Sequence, residues 1–354
     1  MGRNACVAIA GILTGMLVLT ACTEPTAAPS TASAETVTLA SDLDAPWSVL
    51  PLESGGALIS QRNDGRVLEL TADGAQREVG TVSGVVSGGE SGLHGLAMHE
   101  SDGIRWLYAF HGAADDNRVV RMPLTGAPGS LGFDSSGSEV VLAGIPRAAT
   151  HNGGRIAFGP DGMLYIATGD AGRRAEARDP ASLAGKILRV TPEGDPAPGN
   201  PDGTAVYSLG HRNVQGLAWD SRGDLWASEF GQNTWDELNL IEAGGDYGWP
   251  DHEGVADAAD AIDPVAVWAP SEASPSGIAI IDDVAYVASL RGERVWLFDT
   301  AGGSDPWAVH AGEFGRVRDV APGPDGTFWV LTNNTDGRGD RRDGDDRLLQ
   351  LPLP

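Results

Sequence analysis

Arg316 and Arg318 stand two residues apart in the stretch GRVRDV, residues 315–320. In an extended strand, alternation puts both on one face. Two guanidiniums on one face repel unless an anion lies between them, and each planar fork matches a carboxylate bidentately. The anion could be an aspartate of this acidic chain or a multiply charged ligand. A second chemistry-bearing stretch covers residues 208–250, SLGHRNVQGLAWD and then SEFGQNTWDELNLIEAGGDYGWP. Gly210, His211, Arg212 and Asn213 precede a strand pattern, so they fall on a loop at a strand's end. Residues 229–237 are polar and contain glycine, ahead of a short apolar run. Carboxylates and exposed carbonyls there suit a hard cation such as Ca²⁺; the plainer alternative makes Asp236 and Glu237 turn acids. The third stretch, HNGGRIAFGPDGMLYIATGD at 151–170, reads as a β-hairpin. Pro160 presets φ, Asp161 can bond its own backbone, and Gly162 accepts a left-handed φ. The flanks suit a pleated sheet. His151 then sits at the entrance and Asp170 at the exit, both near one end of a rigid strand pair.

What could position these groups is a weak repeat. Units over residues 49–70, 95–122, 154–190, 216–241, 277–299 and 318–351 each combine an apolar run, a turn with Asp or Gly, and a short aromatic or β-branched strand. Roughly six units at a spacing of about fifty residues is the scale of propeller blades. Long helical periodicity is missing and Gly and Pro are abundant, which argues an all-β fold. Long connections at 125–149, 171–201 and 251–270 separate the units, and such loops are often functional.

The 354 residues carry a formal charge of −25, and Lys186 is the only lysine. So acidic a chain repels polyanions, which excludes nucleic acid as a partner and binding to an anionic membrane by charge alone. Residues 1–21 read as an export signal, with Arg3 ahead of an apolar run too short to span. The run ends Leu19-Thr20-Ala21-Cys22, which resembles a bacterial lipobox and implies lipid attachment at Cys22. Residues 22–35 are a small, polar tether, leaving 36–354 as the folded domain. Cys6 and Cys22 are the only cysteines, so that domain must be stable without disulfides.

The hairpin 151–170, GHRNVQG at 210–216, residues 228–250 and GRVRDV, in this order and spacing, resemble the glucose/sorbosone dehydrogenase family, aldose sugar dehydrogenases that use pyrroloquinoline quinone (PQQ). Ala45-Pro46-Trp47 and Arg62 also fit, and the similarity runs through nearly all of the domain. It implies a six-bladed β-propeller of four-stranded antiparallel blades with PQQ on the top face near the axis. It casts His151 as general base and Asp170 as an aspartate near it that could orient the imidazole. Arg212 and Asn213 match residues that touch the quinone, and Arg316 and Arg318 match a pair that contacts PQQ carboxylates. Glu90 matches a residue against the cofactor. Gly231 and Gln232 match positions whose carbonyls hold a catalytic Ca²⁺. Glu237 and Tyr247, the latter through its carbonyl, match a second calcium site. The pattern departs at Arg291, where the best-known members carry Lys, and at Gln232, where Pro is common.

These implications describe an exported, lipid-anchored enzyme that oxidises the anomeric hydroxyl of an aldose sugar to a lactone and passes electrons to an external acceptor. A calcium-dependent propeller hydrolase, lactonase-like, is the alternative enzyme; a non-catalytic propeller that binds glycans or a protein is the other. Trp106, Trp226, Trp296 and Trp329 are expected at equivalent places between blades. Lys186 is expected as a structural contact, and His94, His99 and His111 as surface or satisfied polar groups.

Overall fold

Six four-stranded antiparallel sheets make up the chain in the computed structural model, which describes residues 35–302 and 304–354. The export signal 1–21, Cys22 and the tether as far as residue 34 lie outside the described residues. The described residues belong to one compact unit. Among the described residues no helix is long and apolar enough to cross a membrane.

The inner strands of blades one to six are Pro46–Pro51, Leu93–Ser101, Gly153–Phe158, Val214–Trp219, Pro275–Ile281 and Val317–Pro322. Each contacts the inner strand of the blade on either side, and the sixth returns to the first, so the ring is closed. Within a blade the strands follow in sequence order, except that Val37–Ala40 completes blade six by pairing with Leu348–Pro352. The N-terminal strand therefore ties the first blade to the last, and closure removes the open edge that a row of sheets would leave.

The six repeat units each map onto the first three strands of one blade. The outermost strands were hidden in the connections: Glu139–Ile145 lies within 125–149 and Ala266–Trp268 within 251–270. The connection 171–201 contains Ile187–Val190, the third strand of blade three.

Packing between blades follows a simple rule. An alanine on the inner strand stands opposite an aromatic on the second strand: Ala97 with Tyr108, Ala157 with Tyr165, Ala218 with Trp226, Ala279 with Tyr286, and Ala321 with Trp329. The small residue leaves room where strands crowd toward the axis. The aromatic fills the wedge against the next blade, and each lies in the apolar cluster of that junction. Truncating one, such as Trp226→Ala, costs about 3–5 kcal/mol on the scale of such cavities. The expected tryptophan equivalence is thus corrected in two places. Trp106 is two residues before the Tyr108 that occupies the repeat position. Trp296 sits on the third strand of blade five, Arg294–Asp299, where its indole donates to the Glu272 carbonyl.

Candidate active site

The 151–170 hairpin forms as its turn chemistry dictates. Strands Gly153–Phe158 and Leu164–Thr168 pair with Gly153 opposite Thr168. Gly162 adopts φ +74° and the Asp161 carboxylate accepts from the Met163 amide at 3.0 Å. His151 and Asp170 consequently meet at the end of the ring where the inner strands begin. His151 itself takes φ +56°, an unfavourable region for a residue with a Cβ. Its amide donates to Glu90 Oε2 at 2.8 Å and its carbonyl accepts from Ala171 at 3.0 Å, which hold it there. Gly169 is required beside it, because a Cβ would stand 2.0 Å from the His151 carbonyl oxygen.

The partners of the ring decide its tautomer. His151 Nδ1 lies 2.8 Å from Asp170 Oδ1, and Nε2 lies 2.9 Å from Arg212 NH2. A guanidinium can only donate and an ionised carboxylate can only accept. The imidazole is therefore neutral, with its proton on Nδ1 and a lone pair on Nε2. Burial opposes charge on Asp170, but hydrogen bonds from His151, Gly172 and Trp249 outweigh it and hold the carboxyl below its usual range. Trp249 Nε1 reaches Asp170 Oδ2 at 2.9 Å. The indole also receives two cations, with Arg174 at 4.4 Å and Arg212 at 5.5 Å from the ring centroid. Arg212 donates from NH1 to the Phe230 carbonyl at 3.1 Å and keeps Nε buried, with no partner among the described residues. The Asn213 side-chain oxygen is taken up by the Gly153 amide at 3.0 Å.

Next to this group a narrow cleft opens at the channel, lined by Trp47, Arg62, Glu90, Gln215, Arg318 and Asp336 among others. Arg316 and Arg318 do share one side, and the anion between them in this structure is internal. Asp336 Oδ2 lies 3.1 Å from Arg316 and 3.8 Å from Arg318. Arg318 also donates to Asn333 and Gln215, at 2.9 and 2.8 Å. Burial lowers the Arg318 guanidinium to about 9. Further along the inner strands a buried Arg155–Asp319 pair at 2.9 Å joins blades three and six; losing either partner would cost about 3–5 kcal/mol.

These residues fit a flat, triply acidic quinone. The cleft concentrates Arg62, Arg318 and Arg338 on its walls in a chain of net charge −25. Behind the walls, Arg212 and Arg316 each hold a buried Nε donor with no partner among the described residues. For a cation, no three His, Cys, Asp or Glu side chains converge as a metal-binding group among the described residues; main-chain carbonyls are the other oxygen donors that a hard cation accepts. The Gly231–Gln232 loop suits that task. Glu253 Oε1 accepts from four successive amides, those of Gln232, Asn233, Thr234 and Trp235, at 2.5, 2.9, 3.0 and 3.3 Å. In a trans peptide the carbonyl opposes the following amide, so the Gly231 and Gln232 carbonyls face away from Glu253 and are available to a cation.

Asp236 and Glu237 are not turn acids. They lie on the strand Asp236–Ile241, 1% and 8% exposed. Burial raises Asp236 to about 6. Burial and the adjacent Glu229 push Glu237 well above the ordinary carboxylate range, an arrangement that a bound cation would relieve. Tyr247 is buried, stacks on His211 at 4.6 Å and donates its hydroxyl to the Leu240 carbonyl at 2.7 Å. Arg291 stands apart from the group: it is exposed on the turn after Val284–Ser289, and it is Leu290 that lines the cleft.

Several residues escaped sequence reasoning. His94 is buried rather than on the surface: it lines the cleft, is stacked between Trp47 at 4.9 Å and Phe110 at 5.7 Å, and bonds the Glu90 carbonyl through Nε2 at 2.8 Å. Burial lowers its imidazole to about 3, so it is neutral. His111 is buried as well, 2% exposed, rather than on the surface. Asp336, Arg338, Glu253 and Trp249 were not singled out; for Trp249, the aromatic after Gly248 in a dense polar stretch was the available signal.

The chain matches the family described as Glucose / Sorbosone dehydrogenase over residues 43–342. It is 48% identical to the solved PQQ-bound form of aldose sugar dehydrogenase from Streptomyces coelicolor, with a TM-score of 0.84, covering 89% of this chain and 97% of that one. It is 28% identical over 351 residues to aldose sugar dehydrogenase YliI of Escherichia coli K12, covering 88% of this chain and 92% of the relative. It is 30% identical over 250 residues to quinoprotein glucose dehydrogenase B of Acinetobacter calcoaceticus, covering 61% of this chain and 52% of that protein.

Proposed function

The chain belongs to the glucose/sorbosone dehydrogenase family, and on that premise we propose that it is a PQQ-dependent aldose sugar dehydrogenase that oxidises the anomeric hydroxyl to a lactone. The observation that carries this reading is the lone pair of His151 Nε2, held by Asp170 at the edge of an arginine-lined cleft. PQQ, when bound, supplies the two-electron acceptor for the hydride leaving C1, with Ca²⁺ polarising its carbonyl.

The protein's share is proton transfer and placement. His151 Nε2 removes the proton of the anomeric hydroxyl, and Asp170 stabilises the imidazolium that forms. To reach Nε2 the hydroxyl displaces Arg212 NH2, whose donors then serve electron-rich oxygens nearby. Arg316 and Arg318 hold carboxylates of the cofactor, Glu90 and Asn213 pack against it, and Arg291 adds longer-range positive charge. The Gly231 and Gln232 carbonyls hold the catalytic Ca²⁺, with Glu237 and the Tyr247 carbonyl at a second site. Electrons leave to an external acceptor. Export and lipid attachment at Cys22 would place the reaction outside the cytoplasm on a membrane tether.

The test is reconstitution of the purified protein with PQQ and Ca²⁺, followed by dye reduction with a panel of aldoses. Sugar-dependent dye reduction with lactone as product is expected. Lactone hydrolysis by PQQ-free protein, with no dye reduction, would favour the hydrolase instead.

A further inference from the structure

The two arginines assigned to the cofactor's carboxylates already carry a carboxylate of the chain's own. Asp336 comes from the segment between Thr327–Thr332 and Leu348–Pro352 of blade six. Its side chain is 2% exposed, and those of Arg316 and Arg318 are 10% and 6%. One oxygen, Oδ2, faces both guanidiniums, while Oδ1 accepts from the Arg338 amide at 2.9 Å. The remaining partners of Arg318 are neutral: Asn333, Gln215 and Ser276. Asp336 also lines the cleft, so it stands where an entering anion must make contact.

The segment is laid across the mouth as a strap. Its backbone rests on Arg316: a Cβ on Gly339 would stand 2.7 Å from Arg316 Cδ. Arg338 then reaches blade two, donating to Glu90 Oε1 at 2.9 Å, and Glu90 Oε2 accepts the His151 amide at 2.8 Å. A chain of contacts thus joins the arginine pair to the backbone of the proposed base.

Resting on the reading above, we infer that Asp336 is a built-in counter-anion that competes with the cofactor's carboxylates for Arg316 and Arg318. It steadies the cofactor-free fold and lowers cofactor affinity. Two buried guanidiniums without an anion destabilise a fold. The same negative charge within a few ångströms of an incoming carboxylate opposes its binding.

The experiment uses the full chain, stripped of cofactor by chelation and titrated with PQQ in Ca²⁺, with binding followed by cofactor absorbance and melting measured with and without PQQ. Asp336→Asn should tighten PQQ binding about tenfold, the effect of removing one like charge at this range. It should lower the Tm of cofactor-free protein and enlarge the Tm gain on adding PQQ. Asp336→Glu, which keeps the charge, should bind PQQ less tightly than the Asn variant. Asp336→Ser carries the same expectations as Asn if the Asn variant does not fold. Weaker or unchanged PQQ binding in the neutral variants overturns the inference and leaves Asp336 as a support for the arginines. A wild-type chain that binds no PQQ rejects the site reading itself, and this inference with it.

Discussion

The proposed proton transfer depends on one tautomer. Asp170, fixed by His151, Gly172 and Trp249, keeps the proton on Nδ1 and the lone pair on Nε2. Asp170→Asn can present its amide to Nδ1 and so favour the opposite tautomer. We expect kcat to fall about a hundredfold or more with PQQ affinity within a few fold, read from steady-state rates beside cofactor titration. Trp249→Phe keeps a ring between Arg174 and Arg212 but loses the hydrogen bond, so a smaller loss of kcat, about tenfold, is expected. Asp170 also has a pH signature. Its folded pKa is depressed below the unfolded one, so its contribution to stability is complete above about 3.9. That contribution is lost as pH falls through the depressed value, and Asp170→Asn should flatten the acid limb of a Tm-against-pH curve. His151 and Asp170 were legible because a local turn brings them together. Asp336 was not, because its contacts lie 18 to 20 positions away across a strand pair and no local pattern marks them. The burial of His94 was not legible for the same reason, since Trp47, which stacks on it, comes from another blade.

At the scale of elements, the segment after Asp170 is held by the one lysine. Lys186 is fully buried, and its Nζ donates to the carbonyls of Glu176, Ala177 and Ala184 at 2.8, 2.8 and 2.7 Å. That contact fixes the short helical turn Arg174–Arg178, which carries Arg174 onto Trp249. Lys186→Met would remove a donor from three carbonyls; those of Glu176 and Ala177 keep the Asp179 and Gly210 amides, while that of Ala184 loses its donor, at about 1–3 kcal/mol for a buried carbonyl left unpaired. A clear fall in Tm together with a lower kcat is expected; an unchanged Tm would show the turn to be held by other means. The hairpin turn was legible, because Pro, Asp and Gly act within a few residues. The outermost strands were not: Val206–Ser208, Ala266–Trp268 and Trp307–Val309 have only 3 residues each, too short for alternation to register. The aromatic rule between blades was blurred because Tyr and Trp share the role, so counting tryptophans alone picked Trp106 and Trp296.

For the whole molecule, function depends on a closed ring that gathers side chains from distant parts of the sequence around one axis. Glu90 comes from ahead of blade two, His151 from blade three, Arg212 from blade four and Arg318 from blade six. The repeat was legible because each unit carries its own strand pattern. Which faces meet at the axis was not, since that is set by closure. Closure rests on Val37–Ala40 pairing with Leu348–Pro352. Deleting residues 36–40 should lower Tm and weaken PQQ binding together, because it loosens the junction beside Arg316 and Arg318; melting and cofactor titration of the truncated chain check this.

The central claim is that His151 takes the sugar's proton while the arginine cleft holds the cofactor. The direct measurement is the absorbance of PQQ bound to wild-type and His151→Ala protein, in Ca²⁺, when an aldose is added without any electron acceptor. The account predicts that both proteins bind PQQ within a few fold of each other, that the wild type bleaches the oxidised cofactor in one turnover, and that the variant does not. Bleaching of the variant at the wild-type rate would contradict it.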